Sequence, residues 1–193
     1  MSENPMPKRI IVGITGASGT IYGIRALQLL SGLDVETHLV MSKSAQTTLA
    51  LETELSSGTL KSLADIVYEP DNIAAAIASG SFRTCGMLIA PCSMRSLAEI
   101  ANGMTSSLLT RAADVQLKER RPLVLMVREA PLHAGHLRNM LKATEIGGII
   151  HPPVPAFYTH PQTIEDIIDY SVSRALQNLG IEVPGAKEWE GLS

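Results

Sequence analysis

The chain has 193 residues, of which 45% are hydrophobic and 18% charged, and its formal net charge is −3. This composition is too apolar for a disordered chain, and the length suits one domain with a substantial core. The negative net charge and an aromatic content of only 4% argue against nucleic acid or an anionic membrane surface as a partner.

The cysteine content and the terminal segment bear on the compartment. Cys85 and Cys92 are the only cysteines and form no CxxC motif, which indicates a reduced, cytoplasmic protein. Residues 1–8 are polar and lack the apolar stretch of a secretion signal, and no apolar run is long enough to span a bilayer. We expect one domain over residues 1–193, with residues 1–8 flexible and residues 181–193 forming a C-terminal extension.

Apolar runs alternate with amphipathic stretches along the chain, without internal repeats or linkers. The runs predict strands at residues 10–14, 35–41, 66–68, 87–90, 123–127 and 149–151. The amphipathic stretches predict helices at residues 21–30, 45–55, 72–78, 96–101, 106–119, 136–145 and 163–180, the last with a capping pattern of Thr163 and Asp166. Continuously apolar strands that alternate with helices are typical of a parallel sheet covered on both faces. We therefore predict a single-domain, three-layer α/β fold with a mostly parallel, Rossmann-like sheet.

Ligands of such folds bind at the carboxyl ends of the strands, so residues 15–19, 42–43, 91–96 and 128–131 are expected to line one site. The first of these loops ends the pattern Gly13-x-x-Gly16-x-x-Gly19. Its glycines allow the backbone to approach a ligand closely, and a helix starting at Thr20 would offer free N–H groups to an anion. The alternative is a tight turn that binds no ligand.

The first loop is neither a dinucleotide fingerprint nor a P-loop. The dinucleotide pattern G-x-G-x-x-G is absent, the second strand ends in Met41-Ser42-Lys43 without a carboxylate, and no G-K-[ST] follows. A mononucleotide such as FMN fits these residues better than NAD or ATP.

Two further strand ends carry polar side chains. Ser93 and Ser96 stand at a helix start, where hydroxyl and N–H groups suit a phosphate or ribityl chain, although simple helix capping by Ser93 explains them equally. Arg128 and Glu129 follow a buried strand and are either part of the site or a local salt bridge.

The remaining motifs concern basic side chains and candidate metal ligands. Arg111 and Lys118 share a helix face, with Asp114 between them. This face is either an ordinary solvated surface or a set of basic side chains that binds a phosphate. No H-E-x-x-H, G-x-S-x-G or Asp-rich motif is present, and His133-x-x-His136 is typical of a helix surface rather than a metal site. Phosphate chemistry in this chain would therefore depend on Arg and Lys without a metal.

An ordered set of motifs extends over nearly the whole chain: Gly13-Ile-Thr-Gly-Ala-Ser-Gly19, Ser42-Lys43, Glu52-Thr53, Pro91-Cys-Ser93, Arg111-Ala-Ala-Asp-Val115, Leu117-Lys-Glu119, Arg128-Glu-Ala-Pro131, His136-Leu137, Asn139-Met-Leu141, Pro155-Ala-Phe-Tyr158 and Trp189. This set resembles the UbiX/Pad family of flavin prenyltransferases. The resemblance implies an enzyme that transfers a dimethylallyl group from dimethylallyl monophosphate, or the pyrophosphate in some members, to N5 and C6 of reduced FMN. It also implies a dodecamer, with sites completed by neighbouring subunits, and a product used by UbiD-type decarboxylases in quinone synthesis or in phenolic-acid decarboxylation.

The resemblance also assigns roles to residues. FMN would be held by Gly16, Ala17, Ser18, Ser42, Ser93, Met94, Arg95, Ser96 and Arg128. The prenyl phosphate would be gathered by Arg111, Lys118, Arg128, Tyr158 and Arg174. Glu129 would exchange a proton beside the flavin, Ser18 and Glu52 would relay a proton toward the departing phosphate, and Trp189 would wall the prenyl pocket. Without the resemblance, Tyr158 and Trp189 read as packing residues and Arg174 as a solvated side chain.

The chain departs from the family pattern at two positions. Arg138 stands where many relatives carry Glu, and Ile73 stands where some place an aromatic residue beside the flavin. Two alternative functions are a flavin-dependent cysteine decarboxylase, whose substrate-clamp motif and early histidine are missing here, and a non-catalytic FMN carrier.

Overall fold

The computed structural model describes residues 8–186, so Trp189 and its predicted role lie outside the described residues. Its centre is one sheet of six strands in the order β3-β2-β1-β4-β5-β6, in which every neighbouring pair is parallel. The strands are β1 (Lys8–Ile14), β2 (Val35–Met41), β3 (Ile66–Tyr68), β4 (Gly86–Cys92), β5 (Leu123–Val127) and β6 (Gly148–Ile150). The predicted Rossmann-like α/β class is confirmed.

Within residues 8–186, seven α-helices flank this sheet. They are α1 (Thr20–Leu30), α2 (Lys43–Glu52), α3 (Ser57–Lys61), α4 (Met94–Ala101), α5 (Leu108–Lys118), α6 (Ala134–Glu145) and α7 (Ile164–Gln177). Side chains of α1, α2, α3 and α7 pack into one apolar cluster, and those of α4, α5 and α6 pack into a second. The sheet therefore lies between two helical layers, as predicted.

The central strands are buried on both faces because their side chains alternate between the two clusters. Ile10, Val12 and Ile14 of β1 belong to the first cluster, and the intervening Ile11 belongs to the second. Each of these side chains is fully buried, and burying one isoleucine contributes about 1.5–3 kcal/mol. This apolar centre holds the strand ends rigidly, which a site built on loops requires.

The order of the strands places a crevice at the carboxyl edge of the sheet. The chain runs from β1 outward to β2 and β3, and then returns to place β4 on the other side of β1. The helices that follow β1 and β4 consequently lie on opposite faces, and their first turns diverge above the sheet. This switch point between β1 and β4 is where a ligand has room to enter.

The segments after β2 and β3 differ from the predictions, and the helix predicted to reach residue 180 ends at Gln177. Residues 72–78 form turns and a single 3₁₀ turn, Ala76–Ala78, instead of a surface helix, because Pro70 and Asn72 impose turns just before the apolar run. The helix predicted at 45–55 begins earlier, at Lys43, and ends at Glu52. The short helix α3 was not predicted, although Ser56 caps it through a 3.0 Å bond from the Thr59 amide.

The last helix agrees with its predicted start. The Thr163 hydroxyl accepts from the Asp166 amide, and the Asp166 carboxylate accepts from the Thr163 amide, so the capping box is complete. None of the helices in residues 8–186 is both long and apolar enough to cross a bilayer.

Candidate active site

The carboxyl ends of β1, β4 and β5 surround a hollow of about 310 Å³ at the switch point. Its lining is Gly16, Ala17, Ser18, Ser93, Met94, Arg95, Arg128 and Glu129. Three of the four predicted strand ends therefore meet in one place. The fourth, after β2, lines an adjoining hollow of about 450 Å³, and Ser93 and Arg95 line both.

The turn after β1 packs closely against its surroundings. A methyl group added at Gly16 would come within 2.5 Å of the Ser44 Cβ atom, so no larger residue fits there without displacement. Gly19 has a φ of 98°, in the left-handed region that glycine adopts without strain. The Arg128 Nε atom donates to the Ser18 carbonyl at 2.9 Å, which ties the end of β5 to this turn.

The start of α1 does not offer its amides to a ligand, contrary to the sequence prediction. The Glu52 carboxylate accepts from the amides of Gly19 and Thr20, each at 2.9 Å, and so occupies the positive end of the helix. The prediction was wrong because only the tertiary structure brings the end of α2 over this turn. Glu52 itself was named from the family resemblance as a proton-relay residue.

The surroundings of Glu52 favour its charged form. Burial would raise the pKa of this carboxyl, but the nearby Ser18 hydroxyl and the hydrogen bonds from the amides of Thr20 and Gly19 outweigh it, so the pKa lies below its ordinary value. Glu52 is therefore a carboxylate at neutral pH. Because Ser18 lines the hollow, its hydroxyl links this carboxylate to whatever the hollow contains.

The start of α4 has a different arrangement. The Ser93 hydroxyl caps the helix by accepting from the Ser96 amide at 3.2 Å. The capping reading of Ser93 is thus confirmed, and its place in the lining shows that capping and site formation coincide. Within residues 8–186, the amides of Met94 and Arg95 have no protein acceptor. This helix end is open to an anion or to a polar chain.

The adjoining hollow is lined largely by hydroxyl groups. Ser42 caps α2 through a 3.2 Å bond from the Ala45 amide, and its hydroxyl lies 3.0 Å from that of Ser44. Opposite them lie Ser96, Ser106, Ser107 and Thr110. Ser106, Ser107 and Thr110 were not predicted, although the Ser107 and Thr110 capping box at the start of α5 has a recognisable spacing.

Charged side chains at the rim are held by local contacts. Glu129 is exposed and accepts from the Ala130 amide at 3.1 Å. Arg95 pairs with Glu99 at 3.0 Å, and Glu99 also accepts from the Ser106 hydroxyl at 2.5 Å. Glu99 therefore connects the first turn of α4 with the loop before α5.

The predicted phosphate cluster is not assembled within one chain. Arg111 pairs with Asp114 at 2.8 Å and donates to the Ala78 carbonyl at 3.2 Å, while Lys118 pairs with Glu119. The start of α5 lies at the hollows, whereas Lys118 ends the helix shortly before β5 begins at the opposite edge of the sheet. A helix of this length spans about 16 Å. Lys118 is consequently remote from the hollow of its own chain.

Tyr158 and Arg174 also lie away from the hollow lining. The Tyr158 hydroxyl contacts that of Tyr170, and an Arg174 nitrogen donates to Gln177 at 2.5 Å. Of the five residues predicted to gather the phosphate, only Arg128 lines the hollow.

The histidine pair of the sequence serves the start of α6. The His133 ring accepts from the Gly135 amide at 3.0 Å and stacks on His136 with ring centroids 3.6 Å apart. Among residues 8–186, no group of three or more His, Cys, Asp or Glu side chains could hold a metal ion.

A parallel sheet with an open, hydroxyl-rich hollow at its switch point defines a mononucleotide-binding class of α/β proteins. The Flavoprotein family model matches residues 1–176. Flavin prenyltransferase UbiX of Neisseria meningitidis serogroup B is 56% identical over 97% of this chain and all of its own length. The UbiX protein of Escherichia coli K12 is 56% identical over 95% of this chain and 99% of its own. This chain belongs to the Flavoprotein family and, within it, to the UbiX flavin prenyltransferases.

Solved structures agree with this placement. The crystal structure of AnUbiX (PadA1) in complex with FMN and dimethylallyl pyrophosphate has a TM-score of 0.94 and 48% identity, covering 97% of this chain and all of that one. A dodecameric FMN-dependent UbiX-like decarboxylase from Escherichia coli O157:H7 has a TM-score of 0.92 and 50% identity, covering 95% and 100%. The cysteine decarboxylase TvaF, at 15% identity and a TM-score of 0.65, shares the fold alone.

Proposed function

We propose that this chain is a flavin prenyltransferase that joins a dimethylallyl group, taken from dimethylallyl phosphate, to N5 and C6 of reduced FMN. The observation that carries the proposal is the meeting of Ser18, Ser93, Arg128 and Glu129 around one hollow in a chain so similar to a protein solved with FMN and a dimethylallyl donor.

The donor groups at the hollows fit FMN. The open amides of Met94 and Arg95 and the hydroxyls of Ser42, Ser93 and Ser96 suit a phosphate and a ribityl chain, which both need many hydrogen-bond donors. Gly16 and Ala17 line the same hollow with small side chains. Reduced flavin supplies electron-rich ring positions for the prenyl group and a π face that stabilises allylic cationic character.

We assign the two proton transfers of the reaction to two carboxylates, Glu129 and Glu52. Forming the bond at C6 requires removal of a ring proton, and Glu129, at the rim beside Arg128, is the base we assign to it. Departure of phosphate takes up a proton, and bond formation at N5 of reduced flavin would release one. The Ser18 hydroxyl, beside the Glu52 carboxylate, would relay that proton from N5 to the departing phosphate. The lowered pKa means that Glu52 accepts a proton before it can return one.

The remaining phosphate ligands require a second copy of the chain. Arg and Lys donors stabilise negative charge on a leaving phosphate, yet Arg111 and Lys118 line neither hollow of their own chain and are held by local partners. We infer that a neighbouring subunit presents its α5 to this site, with Tyr158 approaching from the loop after β6 and Arg174 from α7. A UbiX-like relative that is dodecameric supports this assembly.

The direct test is anaerobic incubation of the protein with reduced FMN and dimethylallyl monophosphate, followed by mass spectrometry of the released flavin. A flavin heavier by one prenyl unit is expected, and unmodified FMN would contradict the proposal. A parallel reaction with the pyrophosphate identifies the preferred donor. An FMN carrier is distinguished by Glu129→Gln, which should retain FMN binding and lose product.

The shared site is tested by subunit mixing. Arg111→Ala and Glu129→Gln should each abolish product formation. Dissociating and reassembling the two together should restore part of the activity, because some sites then combine an intact α5 with an intact Glu129. If the mixed assembly stays as inactive as each parent, the site is contained in one chain.

We also propose that the product serves a UbiD-type decarboxylase and that the protein acts in the cytoplasm. The first rests on the family resemblance, and the second on Cys85 and Cys92 both being free thiols in the structure. Restoration of activity to a cofactor-free UbiD-type enzyme by the purified product would test the recipient.

A further inference from the structure

Thr15, the first residue of the loop expected to line the site, instead lies beneath both ligand-facing loops. Its side chain is fully buried and is not part of the lining of either hollow. The residue follows β1 directly and precedes Gly16 of the first loop. It therefore has no route to a ligand except through its neighbours.

The Thr15 hydroxyl connects the ends of two strands. It donates to the Pro91 carbonyl at 2.7 Å and accepts from the Ser93 amide at 2.8 Å. The Thr15 amide adds a 3.3 Å bond to the same Pro91 carbonyl. A hydroxyl has one proton to donate, so this donation and the acceptance together determine its orientation.

This connection begins where the regular ladder stops. The pairing of β1 with β4 ends at Gly13 and Ile89, and the register of β4 against β5 shifts between Ile89 and Cys92. Beyond Gly13, the contacts from Thr15 to Pro91 and Ser93 take the place of ladder hydrogen bonds. Because Ser93 is also the cap of α4, the position of that helix start depends on Thr15.

We propose that Thr15 is a positioning residue that sets the spacing between the Gly16–Ala17–Ser18 turn and the start of α4, and thereby the affinity for FMN. The inference rests on the proposed function for its ligand, and it assigns Thr15 no contact with FMN. Loss of the hydroxyl leaves the Ser93 amide without its acceptor, so the α4 start shifts relative to the turn.

Thr37 offers a matched control because it has the same type of linkage elsewhere. Its buried hydroxyl donates to the Asp65 carboxylate at 2.8 Å and accepts from the Asp65 amide at 2.9 Å. Thr37 lies toward the amino end of β2, paired with Ile10, and lines neither hollow. Thr15→Val and Thr37→Val thus each remove one donor and one acceptor from a buried linkage.

The test measures FMN binding by flavin fluorescence, together with ligand-free hydrogen–deuterium exchange of peptides covering residues 92–97. Thr15→Val should raise the Kd for FMN by at least about tenfold and speed amide exchange in these peptides. Thr15→Ser, which retains the hydroxyl, should restore both to near the wild-type values. Thr37→Val should change neither, although it lowers the denaturation midpoint.

The outcomes separate this inference from the proposed function. Wild-type protein that binds FMN without forming product overturns the transferase proposal and leaves the binding comparison intact. If the wild type does not bind FMN, the exchange data decide, and unchanged exchange at residues 92–97 in Thr15→Val overturns the positioning role. Equal weakening of FMN binding by Thr37→Val does so as well. Should Thr15→Val not fold, Thr15→Cys, with its weak donor and acceptor, should bind FMN with intermediate affinity, and wild-type affinity there contradicts the inference.

Discussion

Helices α1 and α4 begin at the carboxyl edge of the sheet, one on each face, and their first turns differ in what they hold. At α1 the chain supplies its own anion, because the Glu52 carboxylate accepts from the amides of Gly19 and Thr20. At α4 the cap is the neutral Ser93 hydroxyl, and the amides of Met94 and Arg95 line the hollow without an acceptor among the described residues. A helix start attracts negative charge in both cases.

This difference assigns the two helix starts to different tasks. The α1 start keeps a carboxylate charged and directs it at the Ser18 hydroxyl, so it serves proton transfer. The α4 start remains available to the nucleotide. A glycine- or serine-rich turn before a helix thus predicts an anion, but it does not say whether the anion belongs to the ligand or to the protein.

The largest expected effect comes from removing the charge at the α1 start. Glu52→Gln retains an oxygen acceptor for the helix amides but can no longer take a proton from Ser18. We expect product formation to fall on the order of 10²–10⁴-fold, with FMN affinity nearly unchanged. Single-turnover assays and FMN titration measure the two quantities. Glu54→Gln, an exposed neighbour, is the control, and a full rate in Glu52→Gln would refute the relay.

The close packing of the turn before α1 gives the next effect. The methyl group of Gly16→Ala would collide with Ser44, so the turn or the start of α2 has to move. We expect a loss of about 1–3 kcal/mol in the free energy of unfolding and weaker FMN binding. Gly58→Ala, whose methyl group would have only an ordinary 3.6 Å contact, should be tolerated. Equal stability of the two variants would contradict this interpretation.

A serine cap at each of two helices tests the role of the α4 start. Ser93→Ala and Ser56→Ala each remove a hydroxyl that accepts one helix amide, at 3.2 Å and 3.0 Å. Each should cost about 1 kcal/mol of stability by thermal unfolding. Only Ser93→Ala should also weaken FMN binding, by several-fold. Unchanged FMN affinity in Ser93→Ala would limit Ser93 to capping.

The smallest expected effect is the pH dependence of the stability that Glu52 contributes at the start of α1. The pKa of Glu52 is lower in the folded protein than its ordinary value of 4.5, so its stabilising contribution is complete above that value and is lost as the pH falls through the lower folded value. The stability difference between wild type and Glu52→Gln, measured by urea unfolding, should therefore shrink below pH 4.5. A constant difference down to strongly acidic pH would show that the charge of Glu52 does not stabilise this turn.

Sequence patterns predicted most of the fold and part of the site. The apolar runs identified each of the six strands found in residues 8–186, since buried parallel strands are continuously hydrophobic. The rule that ligands bind at strand ends selected the loops after β1, β4 and β5, which do meet. The prediction of a helix at residues 72–78 was wrong because it followed the alanine-rich composition and not the turns that Pro70 and Asn72 impose.

The sequence by itself determined the α/β class, the strands and the side chains available at the sheet edge, because hydrophobic period and turn residues act locally. Only the tertiary structure decided that Glu52 occupies the α1 start, that Thr15 joins β1 to β4, and that Lys118 ends at the far edge of the sheet. These relations join residues distant along the chain, and their distances depend on how whole helices pack on the sheet.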